Sequence, residues 1–392
     1  MGYLVSRIFR ERIILWIIFI SGGFFLFISL WGGLWRIGWN SPQLIPGLPG
    51  IHGPLIICGF LGTFFGLERT MTLKDPWGYL VPILIIVGSA SLLINPMGSL
   101  SRYLILAGSM GFSFICFLIL FRNTNLYHLM IFGGSALWLT GIIIWIAGWP
   151  VFNVYLWWMG SVLFTMVGQR LELAHRLKLP PKAFQILAIG LGVVFFGQVL
   201  MALGHVQQPD YVMDSVLDSI RDPRLKIGMR VSGGGMILTA LWLLRHDPCW
   251  FLFSNQGTSR YTGICLLSGY VWLGMSGIFS LVFATLVSGQ RYDALIHSFF
   301  IGFVWFFIFG HSPSIFLSAF GFRLKKMGFF FLTIFLLHGT LIMRIVGDLI
   351  RNRTLQKWGG LLNGVVIVLF IVSICCFILH ERFKKKSTKM IN

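Results

Sequence analysis

The chain has 392 residues, of which 56% are hydrophobic and only 11% charged. A soluble domain carries about a quarter charged residues, so this composition excludes a soluble globular protein and reads as an integral membrane protein. The formal net charge of +19 does not mark a nucleic-acid partner, because the bases sit mostly in short loops and at the two ends, where they orient membrane helices.

Apolar runs predict twelve spans, at 13–35, 52–67, 77–95, 103–121, 126–148, 151–169, 183–204, 227–245, 261–286, 293–317, 327–349 and 358–380. Most are near the length of about 20 residues that a bilayer-spanning helix needs. The short alternating segments of a barrel are absent. The first run, from Ile13, continues without a small-residue cleavage site and reads as a retained helix. The predicted fold is all-α: one integral membrane domain over 1–392, with twelve transmembrane helices in one bundle and a basic tail at 381–392. No internal sequence repeat is clear enough to mark an inverted-repeat transporter.

Loops after even-numbered spans carry Arg69 and Lys74, Arg122, Arg170 with Arg176, Lys178 and Lys182, Arg245 with Arg260, and Arg323 with Lys325 and Lys326. Loops after odd-numbered spans are poorer in bases or balanced by acids, except the last, with Arg351, Arg353 and Lys357. The long loop from His205 to Lys226 holds Asp210, Asp214, Asp218 and Asp222. This bias puts both termini in the cytoplasm of a bacterial inner (plasma) membrane protein. Arg382, Lys384, Lys385, Lys386 and Lys389 would favour anionic lipid headgroups. Six cysteines (Cys58, Cys116, Cys249, Cys265, Cys375, Cys376) show no CxxC, so neither a disulfide framework nor a zinc site is indicated.

The second span opens on His52 at its outer end, and Gly59, Gly62 and Gly66 follow on about one face. Small residues there would let a helix or a flat ligand approach the backbone. Glu68 and Arg69 close the helix at the inner surface. Gln169, Arg170 and Glu172 read as helix termination and lipid anchoring, and His128, His175, His246 and His380 as interfacial. Gly233, Gly234 and Gly235 read as close packing or a break.

The tenth and eleventh spans are joined by the basic turn Arg323–Lys326 and carry the densest set of ionisable groups in apolar sequence: His297, His311, His338, Arg344 and Asp348. Ionisable side chains at membrane depth are costly, so each is a functional candidate. His311 lies twelve residues before Arg323 and His338 twelve after Lys326. At ~1.5 Å per residue both stand roughly 18 Å from the turn, near mid-membrane. The same count puts His297, Arg344 and Asp348 in the opposite, outer layer, with His52. Pro313 is expected to kink or break the tenth helix.

Neutral imidazole is the commonest protein metal ligand. Four histidines in two layers, His52 with His297 and His311 with His338, suit two metal centres; the plainer reading is helix packing. Covalent haem attachment is unsupported without CxxCH. Arg344 and Asp348, at i,i+4 spacing, can neutralise each other. Alternatively Arg344 holds a haem propionate or another anion. Asp293 and His297 share that spacing and that ambiguity.

The twelve-span count, a histidine near the outer start of the second helix and histidines on the tenth resemble subunit I of haem–copper oxidases and nitric oxide reductases. The HG…GF…ER pattern over His52–Arg69 and the H…R stretch over His338–Arg344 resemble the NnrS-type haem- and copper-containing membrane proteins, which are associated with nitric oxide stress. The resemblance implies haem b, with copper or a second haem, and His52 and His297 as the axial pair of a low-spin haem. The oxidases place copper ligands on their sixth and seventh helices, where this chain has no histidine, and Gly53 and Pro54 follow His52 where NnrS-type proteins place a second histidine.

The leading expectation is a haem-binding protein of electron transfer or of nitric oxide and oxygen handling, with His52 and His297 on haem and His311 and His338 on metal. Its partners would be the bilayer, a membrane or soluble electron donor, and subunits of a respiratory complex. Two other readings stay open. One is a secondary transporter with His311 and His338 as proton relay and Arg344 on an anionic substrate. The other is a cofactor-free structural subunit of a respiratory complex.

Overall fold

The computed structural model describes residues 2–40, 42, 44–96, 98–173, 180–206, 223–284, 289–320 and 328–391. These residues are almost wholly helical and include no strand. Twelve helices are long and apolar enough to cross a membrane: Ile13–Arg36, Leu48–Leu73, Pro76–Ile94, Ser99–Arg122, Leu126–Ile146, Val151–Leu173, Pro181–Leu203, Pro223–His246, Thr258–Phe283, Gln290–Pro313, Gly328–Leu349 and Arg353–Phe377. The protein is an all-α, multi-pass membrane protein, and these are its spans 1 to 12. Large apolar side chains stand exposed along them, Ile20 at 68% and Phe335 at 74%, as a lipid-facing surface requires. The acids at 210–222, the basic turn at 323–326, and His175, Arg176 and Lys178 lie outside the described residues, as do the side chains of the basic tail.

The chain packs as two compact units, Met1–Arg176 and Leu177–Asn392, with six spans each. In the first, span 6 is buried on nearly every face, with Trp158 at 0% exposure. Lipid tails give helices little hydrophobic reason to associate, so close approach must hold them together. Gly134 of span 5 supplies it: a Cβ there would collide with Thr165 Oγ1 and lie 2.8 Å from the Ser161 carbonyl of span 6. The glycines of span 2 serve the same end. Gly59 meets Phe25, Gly62 meets Trp138 and Gly66 meets Val81 and Ile85, so their face takes protein side chains rather than a flat ligand.

In the second unit the three glycines of span 8 divide their work. Gly233 packs on the Gly277 carbonyl of span 9, Gly235 on the Gly190 carbonyl of span 7, and Gly234 faces open space. Span 10 does not break at Pro313, because the helix runs on to Phe320. A proline frees a carbonyl one turn back, and neighbouring helices can satisfy such groups in lipid. Thr262 of span 9 donates to the neighbouring Gly310 carbonyl at 2.7 Å, one residue past the Phe309 carbonyl that Pro313 leaves without its helical donor.

Two spans carry π-helical geometry. Span 2 has a π-helical stretch at Leu55–Gly62 and span 10 one at Ser298–Trp305, each of 8 residues. They are the two such stretches among the described residues. The π-helix is rare and is found frequently at functional sites.

Candidate functional site

The densest polar cluster of the second unit lies where spans 10, 11 and 12 end. Asp293 and His297 stand in the first two turns of span 10, Arg344 and Asp348 in the last two turns of span 11, and Gln356 near the start of span 12. Gly359 makes the approach of spans 11 and 12 feasible, since a Cβ there would lie 2.5 Å from the Arg344 backbone nitrogen. Arg344 donates from Nε to Asp293 Oδ2 at 2.8 Å and from Nη2 to Oδ1 at 2.9 Å. This is a two-pronged, charge-assisted pair between spans. Its partner is thus Asp293, not the i,i+4 neighbour Asp348. Asp348 is 2% exposed and its carboxyl oxygens meet no hydrogen-bond donor at normal distance; it faces Asp293, Arg344 and Gln356.

His297 donates from Nδ1 to the Asp293 carbonyl at 2.9 Å, with the Asp293 carboxylate 3.2 Å from the same nitrogen. A carbonyl can only accept, so Nδ1 carries the proton and Nε2 carries the lone pair. His52 repeats the arrangement in the first unit, donating from Nδ1 to the Pro49 carbonyl at 2.8 Å. So does His311, to the Phe307 carbonyl at 2.9 Å. These three rings share the tautomer with the proton on Nδ1. His297 immediately precedes one π-helical stretch and His52 stands three residues before the other.

His338 is built differently. Trp272 donates from Nε1 to His338 Nδ1 at 3.2 Å, so the His338 proton sits on Nε2 and is given to Ser268 Oγ at 2.9 Å. Its lone pair is already taken. The ring also packs on Phe306, with centroids 4.3 Å apart, while His311 stacks on Phe307. His338 therefore stands level with a residue five positions before His311, roughly 7.5 Å away along the helix. The equal count from the basic turn treated that turn as level, and it lies outside the described residues.

The first unit holds a charged cluster that the sequence reading divided among three unrelated helix ends. Arg69 donates from Nη2 to Glu68 and to Glu172 Oε2, the latter at 2.9 Å, and Gln169 donates to the other Glu68 oxygen. His128 lies 3.9 Å from Glu172 and donates from Nδ1 to the Asn123 carbonyl at 2.7 Å. Arg69 is 3% exposed and His128 7%. Arg69 and His128 are therefore buried in specific contacts with the half-exposed Glu68 and Glu172. The available signal was the high density of polar residues at three even- and odd-numbered helix ends; their convergence needs the packing of spans 2, 5 and 6. Among the described residues, no group of three or more His, Cys, Asp or Glu is arranged to hold a metal ion.

The family model of a domain of unknown function (DUF8744) matches residues 12–379. No curated protein matches the chain, and no solved structure matches it.

Proposed function

We propose that this chain, which belongs to the family of the domain of unknown function DUF8744, is a haem-binding protein of the bacterial inner membrane that acts in electron transfer or in nitric oxide or oxygen handling. His52 and His297 are its leading iron ligands through Nε2. The observation that carries this reading is the shared state of those two rings: each gives its Nδ1 proton to a backbone carbonyl at the head of a π-helical stretch. Metal-bound histidines ordinarily donate their other ring nitrogen to a carbonyl or carboxylate, which fixes the tautomer and raises ligand basicity. His297 has both kinds of acceptor in Asp293.

Imidazole is an ordinary axial ligand of haem iron, and a haem when bound would supply one-electron chemistry and a site for a diatomic gas. The chain's own part is to orient the imidazoles. Arg344 fits a propionate less well, because Nε and Nη2 are committed to Asp293; its role is to hold the carboxylate that orients His297. His311 has the tautomer for a second metal, copper or a second haem. His338 would have to give up Trp272 to join it. The resemblance to NnrS-type proteins points the same way. We place the N- and C-termini in the cytoplasm on the loop charge bias.

The test is the absorption spectrum of the purified protein after expression with adequate haem. A Soret band with b-type alpha and beta bands supports the reading, and His52→Ala and His297→Ala should each abolish a low-spin signal. Either variant keeping an unchanged low-spin spectrum removes that histidine from the ligand set. A colourless, folded parent protein overturns the haem reading in favour of a transporter.

A further inference from the structure

Asp348 has a property that the haem reading does not use. Its side chain is 2% exposed, with both carboxyl oxygens buried and no donor at normal hydrogen-bond distance, the Gln356 amide and the Asp293 carboxylate lying beside it. The charged groups facing it are the Asp293 carboxylate from span 10 and the Arg344 guanidinium from its own span; span 12 contributes the neutral Gln356. Arg344 forks onto Asp293 and so balances one of the two carboxylates. The second negative charge has no counterpart. An uncompensated buried charge is strongly unfavourable, and a buried polar atom without a partner adds to the penalty.

The site lies at the end of its span. Asp348 is the penultimate residue of span 11. The chain turns directly beyond it, where Arg351 takes a positive φ of 58° and Asn352 N–H donates back to the Gly347 carbonyl at 2.7 Å. Residues 349–352 are exposed. Asp348 therefore stands one residue from an exposed turn at the end of its span, and a small ion need not cross the hydrocarbon to reach that end. Calcium needs six to eight oxygen ligands and magnesium a near-ideal octahedron, more than two carboxylates and one amide supply.

We infer that Asp348 is a binding site for an exchangeable monovalent cation, H⁺ or Na⁺, which neutralises the second carboxylate of the Asp293–Asp348 pair. The inference stands independently of haem binding. A cation that binds the folded state and not the unfolded one raises stability with its concentration. Lowering the pH, or raising Na⁺ at fixed pH, should therefore raise the unfolding temperature of the full-length protein in detergent, with choline as the control cation.

Two arms separate the ions. A Na⁺ response absent with choline assigns Na⁺. A pH response without a Na⁺ response, accompanied by the infrared C=O stretch of a buried protonated carboxylic acid, assigns H⁺. Asp348→Asn keeps the shape and removes the charge, so it should abolish whichever response the parent shows, together with that stretch. The infrared measurement on the parent protein stands even where the variant folds poorly. A parent with neither a Na⁺ response nor a protonated-acid stretch overturns the inference, as does an Asp348→Asn variant that keeps the full parental response.

Discussion

Arg344 bypasses Asp348, four residues along its own helix, and closes a two-pronged ion pair on Asp293 of span 10, at 2.8 and 2.9 Å. An exposed i,i+4 pair would contribute only a few tenths of a kcal/mol. A buried pair that loses one partner leaves an uncompensated charge. Arg344→Ala should therefore destabilise the protein by about 3–5 kcal/mol. Arg344→Lys should restore only part of that, since an ammonium cannot reproduce the planar fork. Denaturant unfolding of a double-mutant cycle is the measurement. The coupling of Arg344 with Asp293 should exceed its coupling with Asp348, and the reverse order would return the pair to one helix.

The Arg69 cluster makes a parallel case in the first unit. Arg69 separates Glu68 from Glu172 and is itself 3% exposed. Arg69→Met keeps much of the bulk but leaves two carboxylates facing each other; Glu68 is 44% and Glu172 29% exposed, so solvent screens them and the cost should be about 1–3 kcal/mol. His128→Ala removes the donor to the Asn123 carbonyl and should cost about 1–3 kcal/mol. A surface ion pair contributes about 0–1 kcal/mol. An Arg69→Met variant as stable as the parent would return these residues to the interfacial role that the sequence suggests.

The number of spans and their bounds were legible in the sequence because hydrocarbon thickness imposes a run length on every helix. Span 2 is the instructive exception. It extends from Leu48 to Leu73 where hydropathy suggests 52–67. Pro49 is tolerated in its first turn, and Glu68 and Arg69 remain inside the helix because they are paired. Counting along spans 10 and 11 also put His297, Arg344 and Asp348 in one layer, and the Arg344–Asp293 pair with Asp348 beside it follows that reading. Which acid Arg344 would choose was not legible: both stand within reach of one turn, and Gly359 fixes the approach of span 12 through backbone contact. The π-helical stretches had no signature in periodicity, and neither did the tautomers, which depend on the carbonyl each ring meets.

The histidine tautomers make a prediction about metal content. His311 shares its Nδ1–H state with His52 and His297, whereas His338 holds its proton on Nε2 between Trp272 and Ser268. If the two rings share one metal, His311→Ala and His338→Ala should each remove the same equivalent of iron or copper while the low-spin signal assigned to His52 and His297 stays. If His338 is a packing residue, His338→Ala leaves the metal content unchanged and costs about 1–3 kcal/mol for the groups left unpaired. Metal analysis of both variants beside the parent separates these outcomes, and unchanged iron and copper in both sinks the second site.

Orientation provides the last prediction. The excess of bases after even-numbered spans puts the turn at 323–326 in the cytoplasm and the acid-bearing loop at 207–222 outside. The cysteine background is tractable: Cys58, Cys116, Cys249 and Cys265 are buried, and Cys375 and Cys376 are exposed. Replacing those last two by serine should leave little reactive thiol. A single cysteine at Ser215 should then react with an impermeant maleimide added to intact cells, while one at Leu324 should react only after the membrane is opened. The charge rule acts through short loops close to span ends, and the 323–326 turn meets that condition better than the longer acidic loop. The Leu324→Cys result therefore carries more weight. Labelling of that cysteine from outside would invert the topology, put the Asp293–Arg344 cluster on the cytoplasmic face, and make the cytoplasm the source of any cation reaching Asp348.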